Sequence, residues 1–535
     1  MAKGTQASPD TEFTAGAQSA LQAIDRLTGF AAKQGLIEET DYDYSRNLLL
    51  EQFGFSEPYA GHEELDIPDS PQSMLDVLID YGYELGLIPE NTDTYRDLLD
   101  AKIMGQLMAR PSEVIRAFKQ TQTEQGIEAA TNQFYKLSID SNYIRMDRVN
   151  KNVYWKQPTD YGDMEITINL SKPEKSPKEI AMAKLLPPPV YPKCQLCREN
   201  VGYAGRVNHP ARQNLRVIPL KLIEEPWLFQ YSPYVYYNEH CIIFHHDHVP
   251  MKLTKDTLRR LLAFTTDFPH YFIGSNADLP IVGGSILTHD HFQGGKHTFP
   301  IQLAQREAVY LSEAFPEVQA ATVKWPMSVV RLSSDNPKQL LEAGNALYEA
   351  WKQYSDAEVD ILSISEENGE QVPHNTVTPI VRRGQNGEYE MDLVLRNNRT
   401  NEQYPEGIFH PHREMHHLKK ENIGLIEVMG LAILPGRLKE ELDGIADLLS
   451  SSAPLESAIQ EDEAHPLNKH AEWIRSLIER HGSSLDKDQA VEIIQNEVGL
   501  KFSEILEHAG VFKRDAQGQK AFAAFLNSLG YREQV

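Results

Sequence analysis

Three cysteines, Cys194, Cys197 and Cys241, are all that 535 residues contain. So sparse a set excludes a disulfide scaffold and points to a reducing compartment. No run of about 18 apolar residues occurs, so no spanning helix is expected. The opening MAKGTQASPDTEF lacks the apolar core of a secretory signal, and the expected location is the cytoplasm. Basic residues are also short: 52 Lys and Arg against 77 Asp and Glu, a net charge of −25. An acidic surface repels polyanions, which excludes general nucleic-acid or membrane binding but not an anionic small substrate in a locally basic pocket. Short-period repeats and low-complexity tracts are absent as well.

What remains is ordinary soluble composition, 41% hydrophobic and 24% charged, in a chain long enough for roughly three domains. Residues 14–138 read as helices: Ala17, Leu21, Ile24 and Leu27 recur at helical spacing, as do Met74, Val77, Leu78 and Tyr81, with Ser70-Pro71 as a cap and first-turn pair. Residues 139–186 turn to β and loop, with Glu165 to Leu170 alternating polar and apolar, and Leu186-Pro187-Pro188-Pro189 reads as a stiff connection. Aromatic and β-branched runs then appear at Trp227 to Tyr231, Tyr234 to Tyr237, Cys241 to Phe244 and Tyr271 to Ile273, broken by one amphipathic helix at about 254–266. Amphipathic helices return at 438–449, 466–480, 487–497, 501–508 and 518–528. The pattern is α+β with an antiparallel sheet between helical regions.

Cys194-Gln195-Leu196-Cys197 has the spacing that lets two thiolates grip one tetrahedral ion. A redox pair is the alternative, but such a pair opens a helix after a buried strand, whereas this one follows Pro192 and precedes a polar loop. With no second CxxC, further ligands would come from histidines: His245, His246 and His248, or His289, His291 and His297. Cys241 lies in an apolar run and reads as core.

In Gly283-Gly284-Ser285-Ile286-Leu287-Thr288-His289-Asp290-His291-Phe292-Gln293, alternation on a strand would put His289 and His291 on one face. Glycines let a phosphate approach backbone, and Ser285 and Gln293 offer neutral donors to its oxygens. A neutral imidazole can attack phosphorus and later leave it, so a covalent intermediate is feasible; the competing reading is that both histidines only bind metal.

CQLC, IIFHHDH, GGSILTHDHFQGG and HHLKKENIGLIEVMGLAILPGRL, in this order, resemble the galactose-1-phosphate uridylyltransferases, type 2 branch, of the histidine-triad (HIT) superfamily. The resemblance implies a HIT-like antiparallel core with helical N- and C-terminal regions, divided as 1–186, 187–310, 311–440 and 441–535. It implies UMP transfer from UDP-glucose to galactose 1-phosphate, with His291 as the uridylylated nucleophile and Gln293 as the phosphate donor. Ser285, Gly283, Gly284 and Asn276 would contact substrate. A structural zinc would sit on Cys194, Cys197, His248 and His289, and a homodimer is implied. Other HIT-type nucleotide hydrolases or dinucleoside polyphosphate phosphorylases are the alternative. Asp290 and Phe292 depart from the type 1 pattern. His410, His412 and Glu307 are candidates for the second metal of some type 1 enzymes. Arg206, Arg212, Arg216, Lys324, Arg331, Arg396 and Arg399 are expected to be solvated or paired at the surface.

Overall fold

The computed structural model describes residues 14–61, 66–171, 190–284, 286–367, 369–451 and 465–534. Ser285 and the Leu186 to Pro189 connection lie outside these residues. The chain divides into two compact units, Met1–Asp147 with Pro173–Pro219, and Arg148–Lys172 with Leu220–Val535.

The first unit is helical: α1 (Ala15–Lys33), α2 (Tyr42–Gln52), α3 (Gln72–Glu84), α4 (Asp93–Gly105), α5 (Pro111–Gln125) and α6 (Ile127–Asp140). Thr14 caps α1 by accepting from the Ala17 N–H. Leu21, Ile24, Leu27 and Phe30 of α1 meet Leu75 and Leu78 of α3 and Ile103 and Met104 of α4 in one core. Met74, Leu75, Leu78, Ile79 and Gly82 form the buried stripe of α3, while Val77 is exposed and falls outside it, one helical step off the expected face. The same unit holds the loop that carries both cysteines of the CxxC pair.

The second unit is built on sheets. One has three strands, β1 (Val153–Thr159), β2 (Gly162–Asn169) and β15 (Leu431–Pro435), with β2 in the centre, antiparallel to β1 and parallel to β15. Alternation in β2 predicts one wet face, yet residues 164–169 are all buried. Glu165 keeps its charge there by pairing with His297 at 2.7 Å and Lys156 at 3.3 Å.

The large sheet has eleven strands: β3 (Ile218–Leu222), β4 (Glu225–Tyr231), β5 (Cys241–His245), β6 (Phe272–Gly274), β7 (His291–Gly295), β8 (Arg306–Ser312), β9 (Gln319–Val323), β10 (Val329–Ser334), β13 (Asn375–Arg383), β14 (Tyr389–Asn397) and β16 (Tyr531–Glu533). A separate hairpin pairs β11 (Ile364–Glu367) with β12 (Glu370–Pro373). β6 and β13 meet antiparallel, Gly274 opposite Ile380. Outward from that seam the order is β6, β7, β5, β4, β3 on one side and β13, β14, β10, β9, β8 on the other, with β16 added beyond β8. In chain order each side reads three strands, a helix, then two strands. The helices are α7 (Lys255–Asp267), capped by Thr254, and α8 (Pro337–Gln353), capped by Asn336 with Pro337 in its first turn. The α+β expectation holds, and so do the runs at Trp227 to Tyr231, Cys241 to Phe244 and Tyr271 to Ile273. Tyr234 to Tyr237 forms turns rather than a strand, and carries the chain back from β4 to β5.

The C-terminal helices are α9 (Arg437–Ser450), α10 (Ala471–His481), α11 (Lys487–Ala509) and α12 (Ala516–Ser528). The expected helices 487–497 and 501–508 are one element, continuous through Gly499. That glycine is a packing choice: a Cβ built on it would lie 2.3 Å from the Cβ of Gln157 on β1. Among the described residues no helix is long and apolar enough to cross a membrane.

Candidate active site

β7 is an interior strand, hydrogen-bonded to β5 on one edge and β6 on the other. Its first residue is His291 and its third is Gln293, so both lie on one face of the sheet. His289 precedes the strand in a bend, which corrects the expectation that both histidines share a strand face. The bend has a cause: the Asp290 N–H donates to the Val249 carbonyl at 2.7 Å, and the Asp290 carbonyl accepts from the His245 N–H at 2.9 Å. These two bonds tie the IIFHHDH segment to the HDH segment. Phe292 is fully buried on the opposite face and stacks on Trp227, centroids 4.8 Å apart and 13° from parallel.

His291 is 6% exposed. Its Nδ1 lies 2.8 Å from the His289 carbonyl, which can only accept, so the proton sits on Nδ1. Nε2 is then the ring nitrogen with an in-plane lone pair. Burial pushes the imidazole down to about 4, against the pull of that hydrogen bond. The ring is therefore neutral at neutral pH.

Gln293 lines a cleft of about 580 Å³ with Asn276, Gly283, Gly284, Asn422 and Gly424. The sequence singled out four of these. The Asn276 oxygen accepts from the Leu425 N–H at 2.9 Å, which anchors its carboxamide. Gly284 is there for closeness: a Cβ on it would come within 2.6 Å of the Asn276 amide nitrogen. Missed in the sequence were Asn422, whose Nδ2 donates to the Gly283 carbonyl at 3.4 Å, and Lys419, a cation on the cleft wall paired with Glu427 at 2.9 Å. Both belong to the HHLKKENIGLIEV segment; its polar run Lys419-Lys420-Glu421-Asn422 next to an apolar stretch was the available signal. Also missed was His240, whose Nε2 lies 3.0 Å from the Gln293 Oε1.

The CxxC pair lies in the first unit, and His248 and His289 lie in the second, with their ring centroids 4.9 Å apart. The two sulfurs are 3.5 Å apart, close to the roughly 3.8 Å that a tetrahedral zinc with Zn–S bonds of about 2.3 Å requires. The CxxC loop is held from behind: Asn200 Nδ2 donates to the carbonyls of Cys194 (2.9 Å) and Cys197 (2.7 Å), and its Oδ1 meets His209 Nε2 at 2.7 Å. His289 Nε2 donates to the His245 carbonyl at 2.8 Å, which leaves Nδ1 as its ligand atom. The His248 and His289 rings are inclined at 65°, so their planes can converge on one point.

The second-metal candidates do not come together. Glu307 is held by both terminal nitrogens of Arg514. His410 meets the Pro411 carbonyl and Asn422. His412 instead lies near Glu414 and His508. The two imidazoles are stacked, 4.0 Å between centroids and 19° from parallel, and lone pairs in nearly parallel planes do not point at a shared ion. Several expected surface cations are buried. Arg331 pairs with Asp392, Arg216 donates to the Ala109, Gln213 and Leu215 carbonyls, and Arg396 donates to Thr378 Oγ1 and the Ile423 carbonyl. Arg399 matches the expectation of a paired residue, with Asp360 at 3.1 Å.

An interior strand of an α+β fold thus presents a neutral histidine and a glutamine on one face, the glutamine at the wall of a cleft. The family profile described as galactose-1-phosphate uridyl transferase, N-terminal domain, matches residues 35–250, and the corresponding C-terminal domain matches 265–465. The galactose-1-phosphate uridylyltransferase of Caldanaerobacter subterraneus subsp. tengcongensis is 56% identical over 510 residues, 95% of this chain and 98% of the relative. That of Bacillus subtilis (strain 168) is 50% identical over 516 residues, 96% and 98%. The chain belongs to the galactose-1-phosphate uridylyltransferase family. A crystal structure of yeast Ap4A phosphorylase Apa2 is a looser likeness, at 11% identity and a TM-score of 0.30 over 63% of this chain and 90% of that one, a distance that says nothing about chemistry.

Proposed function

We propose that this enzyme transfers UMP from UDP-glucose to galactose 1-phosphate, through a uridylyl group carried on His291. The observation that carries the reading is the 2.8 Å bond from His291 Nδ1–H to the His289 carbonyl, which leaves Nε2 as the nucleophile. Nε2 attacks the α-phosphorus of UDP-glucose. The N–P bond forms as the P–O bond to glucose 1-phosphate breaks, and that anion leaves with the electron pair. A phosphate oxygen of galactose 1-phosphate then attacks the same phosphorus, the N–P bond breaks, and UDP-galactose departs from a neutral imidazole. No proton moves in either half. The His289 carbonyl accepts from Nδ1–H throughout and stabilises the positive charge of the uridylylated ring.

Gln293 offers its amide N–H groups to the phosphoryl oxygens, and Asn276, Gly283, Gly284 and Ser285 form the substrate side. On the family resemblance, Cys194, Cys197, His248 and His289 would hold a zinc ion whose part would be structural. Segments 187–310 and 311–440 are taken as two copies of one HIT-like unit, a reading supported by the mirrored strand order. A cytoplasmic homodimer belongs to this reading, the dimer on the family resemblance and the compartment on the sparse cysteines.

The test is His291→Asn, assayed by exchange of labelled glucose 1-phosphate into UDP-glucose. Loss of exchange in a protein that melts normally supports the reading; near-normal exchange sinks it. UMP released to water, with no UDP-galactose formed by the unmodified enzyme, would replace the acceptor.

A further inference from the structure

The segment leading into β5 lies across from the end of β7, Cys241 being opposite Gly294. His240, the residue before β5, is 2% exposed and packs between Tyr236 and Tyr237, with ring centroids at 5.4 and 4.5 Å. Its Nε2 is 3.0 Å from the Gln293 Oε1. Its Nδ1 is buried and has no hydrogen-bond partner among the described residues. Burial holds the imidazole down at about 4, so the ring is neutral and carries one proton.

Two tautomers are available. A proton on Nδ1 would be a buried N–H with nothing to donate to, the rarer and costlier kind of orphan. A proton on Nε2 has an acceptor waiting. The Nε2–H tautomer therefore wins, and it has a consequence for Gln293. A glutamine carboxamide can flip with little change in shape, exchanging its oxygen for its N–H pair. Bonded to His240 Nε2–H, it must keep its oxygen inward. The N–H pair then faces the other way, where donors to a phosphoryl group are useful. Flipped, the same side chain would set an oxygen lone pair against phosphoryl oxygens and repel them.

We propose that His240 is a positioning residue for the transfer step, fixing the Gln293 carboxamide so that its N–H pair, and not its oxygen, meets the phosphoryl group in flight. The inference rests on the reading of Gln293 as a phosphate donor.

The test is a double-mutant cycle on UDP-galactose formation, with kcat and KM read separately and each variant checked by thermal melting. Gln293→Ala should lower kcat about 100-fold, the size of a lost donor to a developing oxyanion. His240→Phe keeps the ring packing but cannot donate, and should lower kcat about 10-fold or more with little change in KM. The double variant should be no worse than Gln293→Ala alone, because the two act through one group. His240→Gln, whose terminal amide can reach the same oxygen, should restore most of the loss.

Multiplying effects in the double variant would overturn the proposal, as would a folded His240→Gln no better than His240→Phe. If the phenylalanine variant melts below the assay temperature, His240→Asn, too short to reach Oε1, takes its place in the cycle. Normal kcat in Gln293→Ala would instead remove the donor role itself, and the positioning role with it.

Discussion

The two sides of the large sheet share a strand order and use their second strand from the seam in opposite ways. On one side that strand is β7, with His291 and Gln293 and a cleft beside it. On the other it is β14, and its polar residues are locked: Asp392 accepts from Arg331 and Arg382, while Glu390 pairs with Arg382 and Arg306. Burial alone would raise the Asp392 carboxyl, yet the Arg331 and Arg382 guanidinium groups beside it hold it down at about 2. One frame thus supports a polar strand with a cleft beside it and a polar strand whose groups satisfy each other. Polar residues in the middle of a sheet are compatible with catalysis only where their partners leave one functional atom unspent, the part proposed for His291 Nε2.

The comparison breaks most sharply if the two strands are altered in parallel. His291→Asn should cost at least about 10,000-fold in transfer while leaving the melting temperature within about 2 °C, the pattern of a lost nucleophile. Asp392→Asn should do the reverse. It strands buried arginine charge, so denaturant unfolding should shift by about 3–5 kcal/mol, while kcat per folded molecule stays within a few fold. If Asp392→Asn abolished transfer in a folded protein, β14 would be part of the catalytic machinery and the contrast would fail.

Next in size is an acid limb specific to the locked side. The folded-state pKa of Asp392, about 2, lies below its ordinary value of 3.8. The folded state therefore prefers the ionised form, and the stability from this linkage is fully present above about pH 4 and lost as pH falls towards 2. It amounts to roughly 2.5 kcal/mol. Unfolding free energy measured from pH 5 down to pH 2 should fall less steeply in Asp392→Asn than in the unmodified chain. An unchanged slope would mean that other carboxylates carry the acid sensitivity.

The proposed zinc offers a smaller test, on the cysteine loop of the first unit. Asn200 holds both carbonyls of that loop. Asn200→Ala should weaken zinc binding about 10- to 100-fold in a chelator competition, the usual effect of removing an outer-shell support. Equal affinity would show that the loop is fixed by its own backbone.

Legibility in the sequence followed range. Cys194 and Cys197, or His291 and Gln293, stand out as candidates because the chemistry proposed for them depends on neighbours two or three positions away. The α+β class and most element positions came from periodicity, which is equally local. The Gln293 amide is set by His240, 53 positions earlier, and Arg331 meets Asp392 61 positions later; neither partner has a local signature. β2 read as half-exposed because its second neighbour, β15, arrives only at Leu431 and aligns parallel to it. The stretch 487–508 read as two helices with Gly499 between them, and the reason for that glycine is the Gln157 side chain on a distant strand.

Phe292 gives the smallest and most discriminating test of how the two sides differ. It lies between His291 and Gln293 in sequence, departs from the type 1 pattern, and points away from both, onto Trp227. At the corresponding place between its polar residues, Glu390 and Asp392, β14 has Met391, a flexible filler. A locked strand needs no stiff backing because its ion pairs hold it. A strand that must present two side chains with one open atom has only packing behind it. Phe292→Leu keeps the position apolar but removes a stacked ring, and should cost about 1–2 kcal/mol of stability. If the ring is there for rigidity, kcat should fall about 3- to 10-fold with KM little changed, since small misplacements at the reacting centre are felt mainly in the transition state. Met391→Leu should leave kcat unchanged. Equal, negligible effects of the two substitutions on kcat would reduce Phe292 to core filling and confine the difference between the sides to their polar residues.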